Sequence, residues 1–345
     1  MSLSTSSSRK EWRIAAILLA LLLACEVSLR LSETSLSPYL RHLHSLPQVS
    51  KDLAAAQGLR ILFLGNSMIR TDLNLDVFLR EINEYDTGPV KPISAVKVYI
   101  DDSHIAEWFY TFKHNFLDVG SIPDALVIGF ADHQLGDNAD TRPRRLARFH
   151  ASLADIPAMF SNDLLTFSDR AEFLLSYISV SYALRDRVKK RLLSTLVPYY
   201  EKSAVRLNDQ LWQHELGAEK PVWTFHRLER LAALALRHHA SLILVAMPKE
   251  DPYDLPRELF LKARQLGITL VDARHVQGLS PRMFADEMHM RPQGALSFSD
   301  ALADYLAQPL RQVSRARYLT EHPSRASVGG TNPRQAGLQT YTTQP

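Results

Sequence analysis

The sequence is poor in cysteine: among 345 residues only Cys25 carries a thiol, so no internal disulfide can form. It also lacks a charge bias. Forty Lys and Arg stand against 37 Asp and Glu, a formal net charge of +3, and the two signs are interspersed. Without a basic stripe there is no electrostatic footprint for a polyanion, and no nucleic-acid partner is expected. No internal repeat is visible. His238 and His239 are adjacent, but with no cysteine nearby and no third ligand in view, no metal site is expected. The loop "GNS" at 65–67 has a single glycine and no lysine, so it lacks the parts of a phosphate-binding loop. No cofactor is expected.

One long hydrophobic run is present. Arg9, Lys10 and Arg13 precede "IAAILLALLLAC", Ile14 to Cys25, and the run extends through "EVSLRL" to Leu31, close to the roughly 20 residues needed to cross a bilayer. An uncleaved signal anchor over residues 1–31 is the favoured reading. A cleaved signal peptide would need a small-x-small site that is hard to find here. A lipoprotein is the third reading, since "LLAC" ends on Cys25, though Leu23 suits a lipobox poorly. A buried core helix is opposed by the three cations and the serine-rich leader. Each targeting reading leaves the cations inside and places the remaining chain outside the cytoplasm, with the membrane as a partner.

Residues 32–57, rich in serine and proline, read as a linker. Residues 311–345, rich in Ser, Thr, Gly, Pro and Gln, read as a disordered tail. The folded domain is expected at 58–310. Within it, "RILFLG", "ISAVKVYI", "DALVIGF", "SLILVAMP" and "GITLVDA" are five short apolar runs separated by helical patterns such as Leu75, Phe78, Leu79, Ile82 and Leu228, Leu231, Ala232, Ala235. Continuous apolar strands alternating with helices imply a parallel sheet covered on both faces. The expected class is α/β, a three-layer α/β/α sandwich with a five-stranded, mainly parallel sheet. A helical stretch at about 153–216 breaks the rhythm and reads as an insertion.

In such a sheet ligands bind beyond the carboxyl ends of the strands. Ser67 follows the first strand there and opens the next helix, where N–H groups favour negative charge. Taken alone, a serine at this place reads first as a helix N-cap. A nucleophile needs a base and the base an orienting group. Three Asp-x-x-His spacings occur: Asp101 with His104, Asp272 with His275, and Asp286 with His289. The last precedes Pro292, Gly294 and an amphipathic helix carrying Phe298, Ala301, Leu302, Tyr305 and Leu306, which can hold the pair rigidly. Trp108, Phe109 and Tyr110 could line a sugar cleft or pack in the core, and "DRVKKRLL" reads as a solvated helix face.

Together, "LFLGNSMIR" near the start of the domain and "FADEMHMRPQGALSFSDALADYL" near its end resemble the SGNH, or GDSL-like, hydrolase superfamily. The resemblance implies a three-layer α/β fold, Ser67 as nucleophile, His289 as general base and Asp286 as its orienter. It also implies an oxyanion hole, and here the sequence departs from the family. The second block, "VYIDDSHIAEWFY", has no glycine, which leaves a backbone N–H of Asp102 or Ser103. In the third block, "VIGFADHQLGDN", Gly129 and Asp132 fit, but Ala131 stands where the family has asparagine; His133, Gln134 and Asn138 are candidate replacements. The function implied is a membrane-anchored, extracytoplasmic serine esterase acting on O-acyl, chiefly acetyl, groups of an envelope or exported polysaccharide, with possible ties to that polymer's machinery. An O-acyltransferase using the same triad is one alternative. A non-catalytic envelope-assembly or glycan-binding protein on the same fold is another, prompted by the missing asparagine.

Overall fold

The computed structural model describes residues 7–197 and 223–323. The chain forms two compact units: Met1–Leu46 with Thr141–Pro221, and Pro47–Asp140 with Val222–Pro345.

The second unit contains a five-stranded sheet: β1 (Leu59–Gly65), β2 (Ile93–Tyr99), β3 (Ala125–Phe130), β4 (Ser241–Ala246) and β5 (Thr269–Asp272). The spatial order is β2-β1-β3-β4-β5, and all four pairings are parallel. The expected mainly parallel sheet is thus wholly parallel. Strand order reverses between β1 and β3, and this topological switch point opens a crevice at the carboxyl edge. β1, β3 and β4 are buried along almost their whole length, as strands covered on both faces must be.

Alternation along the strands divides the core in two. Ile61, Phe63, Val127, Ile243 and Val245 face one side. There they meet Met68 and Ile69 of α3 (Ser67–Asp72), Phe78 and Ile82 of α4 (Leu75–Glu84), and Phe298, Leu302 and Leu306 of the C-terminal helix. Leu62, Leu64, Leu126, Ile128, Leu242 and Leu244 face the other way. That face is covered by α5 (Ile105–Thr111) and α6 (His226–Arg237), which pack on each other. The aromatic run falls here: Trp108 and Tyr110 are fully buried, with the Trp108 indole N–H donating to Ser103 Oγ at 2.7 Å. Of the two readings of that run, core packing holds for Trp108 and Tyr110.

Two glycines set the height of α3 above the sheet. Gly65 at the end of β1 and Gly129 one residue before the end of β3 lie side by side in register. A Cβ on Gly129 would come within 2.5 Å of Ile69 Cδ1 and 2.7 Å of Met247 Sδ; one on Gly65 would come within 2.5 Å of Ile69 Cγ1 and 2.7 Å of the Gly129 carbonyl oxygen. The missing side chains admit Ile69, and Ile69 seats the helix that begins with Ser67.

Two of the expected boundaries need correction. The linker at 32–57 is helical: α1 (Ser7–Leu36) is followed by α2 (Pro38–Ala55). Ser37 Oγ accepts from the Leu40 N–H at 3.1 Å and Pro38 takes the first helical position, so the Ser-Pro pair is a helix start. Leu40, Leu43, Leu46 and Leu53 are buried at helical spacing behind it. The tail also starts later than 311, because the last helix, α8 (Pro292–Glu321), runs on past it; α7 (Arg257–Leu266) precedes β5. Its final turns are held by tertiary contacts: Ser314 Oγ accepts from the Val90 N–H, and Arg317 bonds Asp124 and the Gly58 carbonyl. Residues 324–345 lie outside the described residues.

The first unit is helical and includes the inserted segment, which begins near Thr141 instead of 153; the part expected at 198–216 lies outside the described residues. α1 is long and apolar enough to cross a membrane, and its apolar side chains, such as Leu21 and Leu22, are exposed. Beyond the apolar run, Glu26 accepts from the N–H groups of Val180 and Ser181, Arg30 donates to the Ile178 carbonyl, and the buried Glu33 pairs with Arg148 and with His44.

Gly129→Ala is expected to lower stability by about 1–3 kcal/mol through overpacking. Shortening the opposing side chain with Ile69→Val should make the double variant less destabilised than the sum of the singles by about 0.5 kcal/mol or more, read from urea unfolding curves of the four proteins.

Candidate active site

The site assembles at the carboxyl edge beside the switch point. After Gly65 the chain leaves β1, and Asn66 takes the cap of α3: its Oδ1 accepts from the Met68 N–H at 2.9 Å. Ser67 is the first residue inside the helix. The N-cap reading of Ser67 is therefore corrected to Asn66, which leaves the Ser67 hydroxyl uncommitted to backbone. Its N–H, at the first helical position, has no intrahelical acceptor.

The other half of the site comes from the turn between β5 and α8. A single antiparallel bridge joins Phe284 to Met290, and Ala285 N–H donates to the His289 carbonyl at 2.7 Å. Within that loop Asp286 Oδ1 accepts from the N–H groups of Met288 (2.9 Å) and His289 (2.8 Å). Both Asp286 oxygens lie 2.9 Å from His289 Nδ1, and His289 Nε2 lies 2.7 Å from Ser67 Oγ. Residues 222 positions apart thus form one chain of hydrogen bonds.

The proton positions follow from the donor inventory. An ionised carboxylate only accepts, so His289 Nδ1 carries the ring proton toward Asp286. The neutral ring then presents a lone pair on Nε2, and the Ser67 hydroxyl donates to it. Burial tends to raise the Asp286 pKa, but the His289 ring and the two N–H groups outweigh it and hold the carboxyl below its ordinary value. The carboxyl stays ionised and the tautomer stays suited to accepting the serine proton.

The other two Asp-x-x-His pairs have different partners. Asp272 is bonded to Arg274, with His275 exposed; Asp101 pairs with Arg70 at 3.1 Å, and His104 Nδ1 lies 3.0 Å from the Asp140 carbonyl.

The remaining expected site residues occupy the neighbouring strand exits. Asp102 and Asp132, just past β2 and β3, both adopt positive φ (53° and 49°), a conformation that costs an L residue about 1 kcal/mol or more. Asp102 is exposed. Ser103 is buried, its hydroxyl occupied by Trp108. Gly129 lies within β3, and its lack of a side chain serves Ile69. Asp132 pairs with Lys249 at 2.9 Å, and the exposed His133 ring stacks on His104 at 5.8 Å. Of the candidate replacements for asparagine, Gln134 is buried and its Oε1 accepts from the Ala131 N–H at 2.9 Å, whereas Asn138 is exposed.

The sequence reading overlooked Asp72, the last residue of α3. It is fully buried, and its Oδ1 accepts from the Met290 N–H at 2.9 Å and from the Thr71 hydroxyl at 2.7 Å. Burial pushes this carboxyl up to about 6, against the hydrogen bonds that lower it. Nothing in local sequence marks the residue, because α3 is too short to show a periodic buried face.

Among solved structures the chain is similar to a catalytic mutant of an acetylxylan esterase from Geobacillus stearothermophilus (11% identity, TM-score 0.36, 74% of this chain and 97% of that one). It is also similar to an α/β hydrolase from the metagenome of Lake Arreo, Spain (12% identity, TM-score 0.35, 73% and 97%). A third is a GDSL-like lipase from Bacteroides thetaiotaomicron (13% identity, TM-score 0.34, 78% and 98%). No family model and no curated protein matches the chain. At these identities no residue's role is transferred from one chain to the other.

The Asp72 shift has a stability consequence with a definite sign. Its folded pKa lies above the unfolded one, so its contribution is fully present below about pH 4 and is lost as pH rises through about 6. Asp72→Asn cannot ionise there. The stability of Asp72→Asn relative to wild type should therefore rise between pH 4 and 7, by up to about 3 kcal/mol, in paired thermal melts across that range.

Proposed function

We propose that the protein is a serine esterase of the SGNH kind, with Ser67 as nucleophile, His289 as general base and Asp286 as the group that orients the imidazole. The observation that carries the reading is the continuous Asp286–His289–Ser67 hydrogen-bonded chain at the carboxyl edge of a parallel sheet. Ser67 Oγ attacks an ester carbonyl while its proton passes to His289 Nε2, giving a tetrahedral oxyanion. The N–H of Ser67 and a backbone N–H from the Asp102–Ser103 loop are the donors assigned to that oxyanion. Collapse expels the alcohol, which takes the proton from His289. Water, activated by the same imidazole, then releases the acid from the acyl-enzyme.

The substrate belongs to the finer part of the proposal: O-acetyl groups of an envelope or exported polysaccharide. Its support is the apolar α1 with cations ahead of it, which fits a signal anchor that keeps the enzyme at the membrane with its catalytic unit outside the cytoplasm.

A fluorophosphonate probe tests the triad without knowledge of the substrate. Wild type should label. Ser67→Ala should not, and His289→Ala should slow labelling by about a thousandfold or more. An unlabelled wild type would favour the non-catalytic alternative, and labelling that persists in Ser67→Ala would move the nucleophile elsewhere. Acetate release from an O-acetylated glycan, with and without an added sugar acceptor, checks the reaction class: hydrolysis gives acetate at the same rate in both, whereas acyl transfer moves the acetyl group to the acceptor.

A further inference from the structure

Two carboxylates lie near His289, and they differ in exposure. The Asp286 side chain is 59% exposed, so water screens its charge. Asp72 is 0% exposed, and a charge there acts through a less polarisable medium. Asp72 Oδ1 holds the N–H of Met290, the residue next to His289, while its Oδ2 is buried with no partner. A side chain on the helix that begins with Ser67 thereby grips the turn that carries His289. The Ser299 hydroxyl of α8 closes the same joint, accepting from the Asn74 N–H at 2.7 Å and lying 3.4 Å from the Asp72 carbonyl.

We propose, resting on the triad reading above, that Asp72 is a positioning residue for His289. It ties the 286–290 turn to α3 through the Met290 N–H, and its buried negative charge favours the imidazolium formed when His289 takes the Ser67 proton. The other charged groups around it are His289 and Asp286 on the turn, Lys97 on β2 and, through Lys97, Asp76 on α4. Lys97 is itself engaged: its ammonium donates to the carbonyls of Leu73 (2.6 Å) and Arg70 (3.3 Å), at the C-terminal end of α3. Asp72 reaches the turn directly, whereas Lys97 reaches only the backbone of α3 and the loop after it. With the carboxyl pushed up to about 6, Asp72 is charged above that pH and neutral below it, so its support of the imidazolium is greatest in alkaline solution.

The experiment is the rate of fluorophosphonate labelling of the full chain in detergent, measured from pH 5 to 9, for wild type, Asp72→Asn, Asp72→Ala and Ser67→Ala. In labelling, the serine oxygen displaces fluoride at phosphorus and its proton passes to His289, so the step forms the same imidazolium. Asparagine keeps an acceptor oxygen for the Met290 N–H and removes only the charge. Asp72→Asn is expected to fold, to label about tenfold more slowly at pH 8, and to hold its remaining activity to lower pH than wild type, because a negative charge favouring the imidazolium is gone. Asp72→Ala, which also loses the tether, should be slower still. A pH profile of Asp72→Asn that superimposes on wild type would overturn the inference. So would a rate loss matched by a lower melting temperature with the profile's midpoint unmoved. If Asp72→Ala fails to fold, Asp72→Asn decides the matter alone. Failure of the triad reading is distinct, since wild type would then not label at Ser67.

Discussion

The contact on which the site depends is that of Ile69 with two glycines. Gly65, the last residue of β1, and Gly129, one residue before the end of β3, lie side by side, and the space their missing side chains leave is filled by Ile69. That contact lowers α3 onto the edge of the sheet. With α3 seated, Asn66 can cap it, Ser67 can face the crevice at the strand-order reversal, and Asp72 can reach Met290 from the far end of the same six-residue helix. A Cβ at either glycine would push on this joint, and at Gly129 on Met247 as well.

The opposite wall is built on a different principle. The turn that carries Asp286 and His289 is anchored at its two ends by the buried side chains of Phe284 and Met290, and its tip is fixed by polar bonds: the Phe284–Met290 bridge, two N–H groups on Asp286, and the Met290 N–H on Asp72. Buried hydrogen bonds hold geometry well when every group is paired and are costly when one is not. The unpartnered Oδ2 of Asp72 is such a cost, and it falls at the point where the two walls meet. Ionising that carboxyl in the interior disfavours the fold, because burial penalises its charged form.

Several elements are legible in the sequence. The five apolar runs each became a strand, and continuous hydrophobicity correctly implied a parallel sheet covered on both faces. The Asp-x-x-His spacing occurs three times and singles out none of them; the pair Asp286–His289 stands out by the proline and glycine behind it and by the resemblance of its block, together with the serine block, to a known hydrolase superfamily. Other segments misled for identifiable reasons. Ser37 and Pro38 resembled linker punctuation, although a serine cap with proline at the first position is equally a helix start. The last turns of α8 are polar, so composition suggested disorder; their order comes from Arg317 and Ser314 bonding distant backbone and side-chain groups. The residues across the cleft stayed ambiguous because a backbone donor leaves no side-chain signature.

What the sequence determined by itself was periodicity and punctuation: strand number, the layering of helix and sheet, an apolar N-terminal helix, and a serine block and an Asp-x-x-His block at the two ends of a domain. These are local quantities, fixed by which side chains prefer water and which backbone angles they allow. Only the tertiary structure decided that Asn66 and not Ser67 caps the helix, and that Asp72 is buried with its Oδ1 on the Met290 N–H beside His289. Those outcomes depend on strand order and on the fit of Ile69 to two glycines. Contacts between residues more than 200 positions apart arise from packing, which no single stretch of sequence encodes.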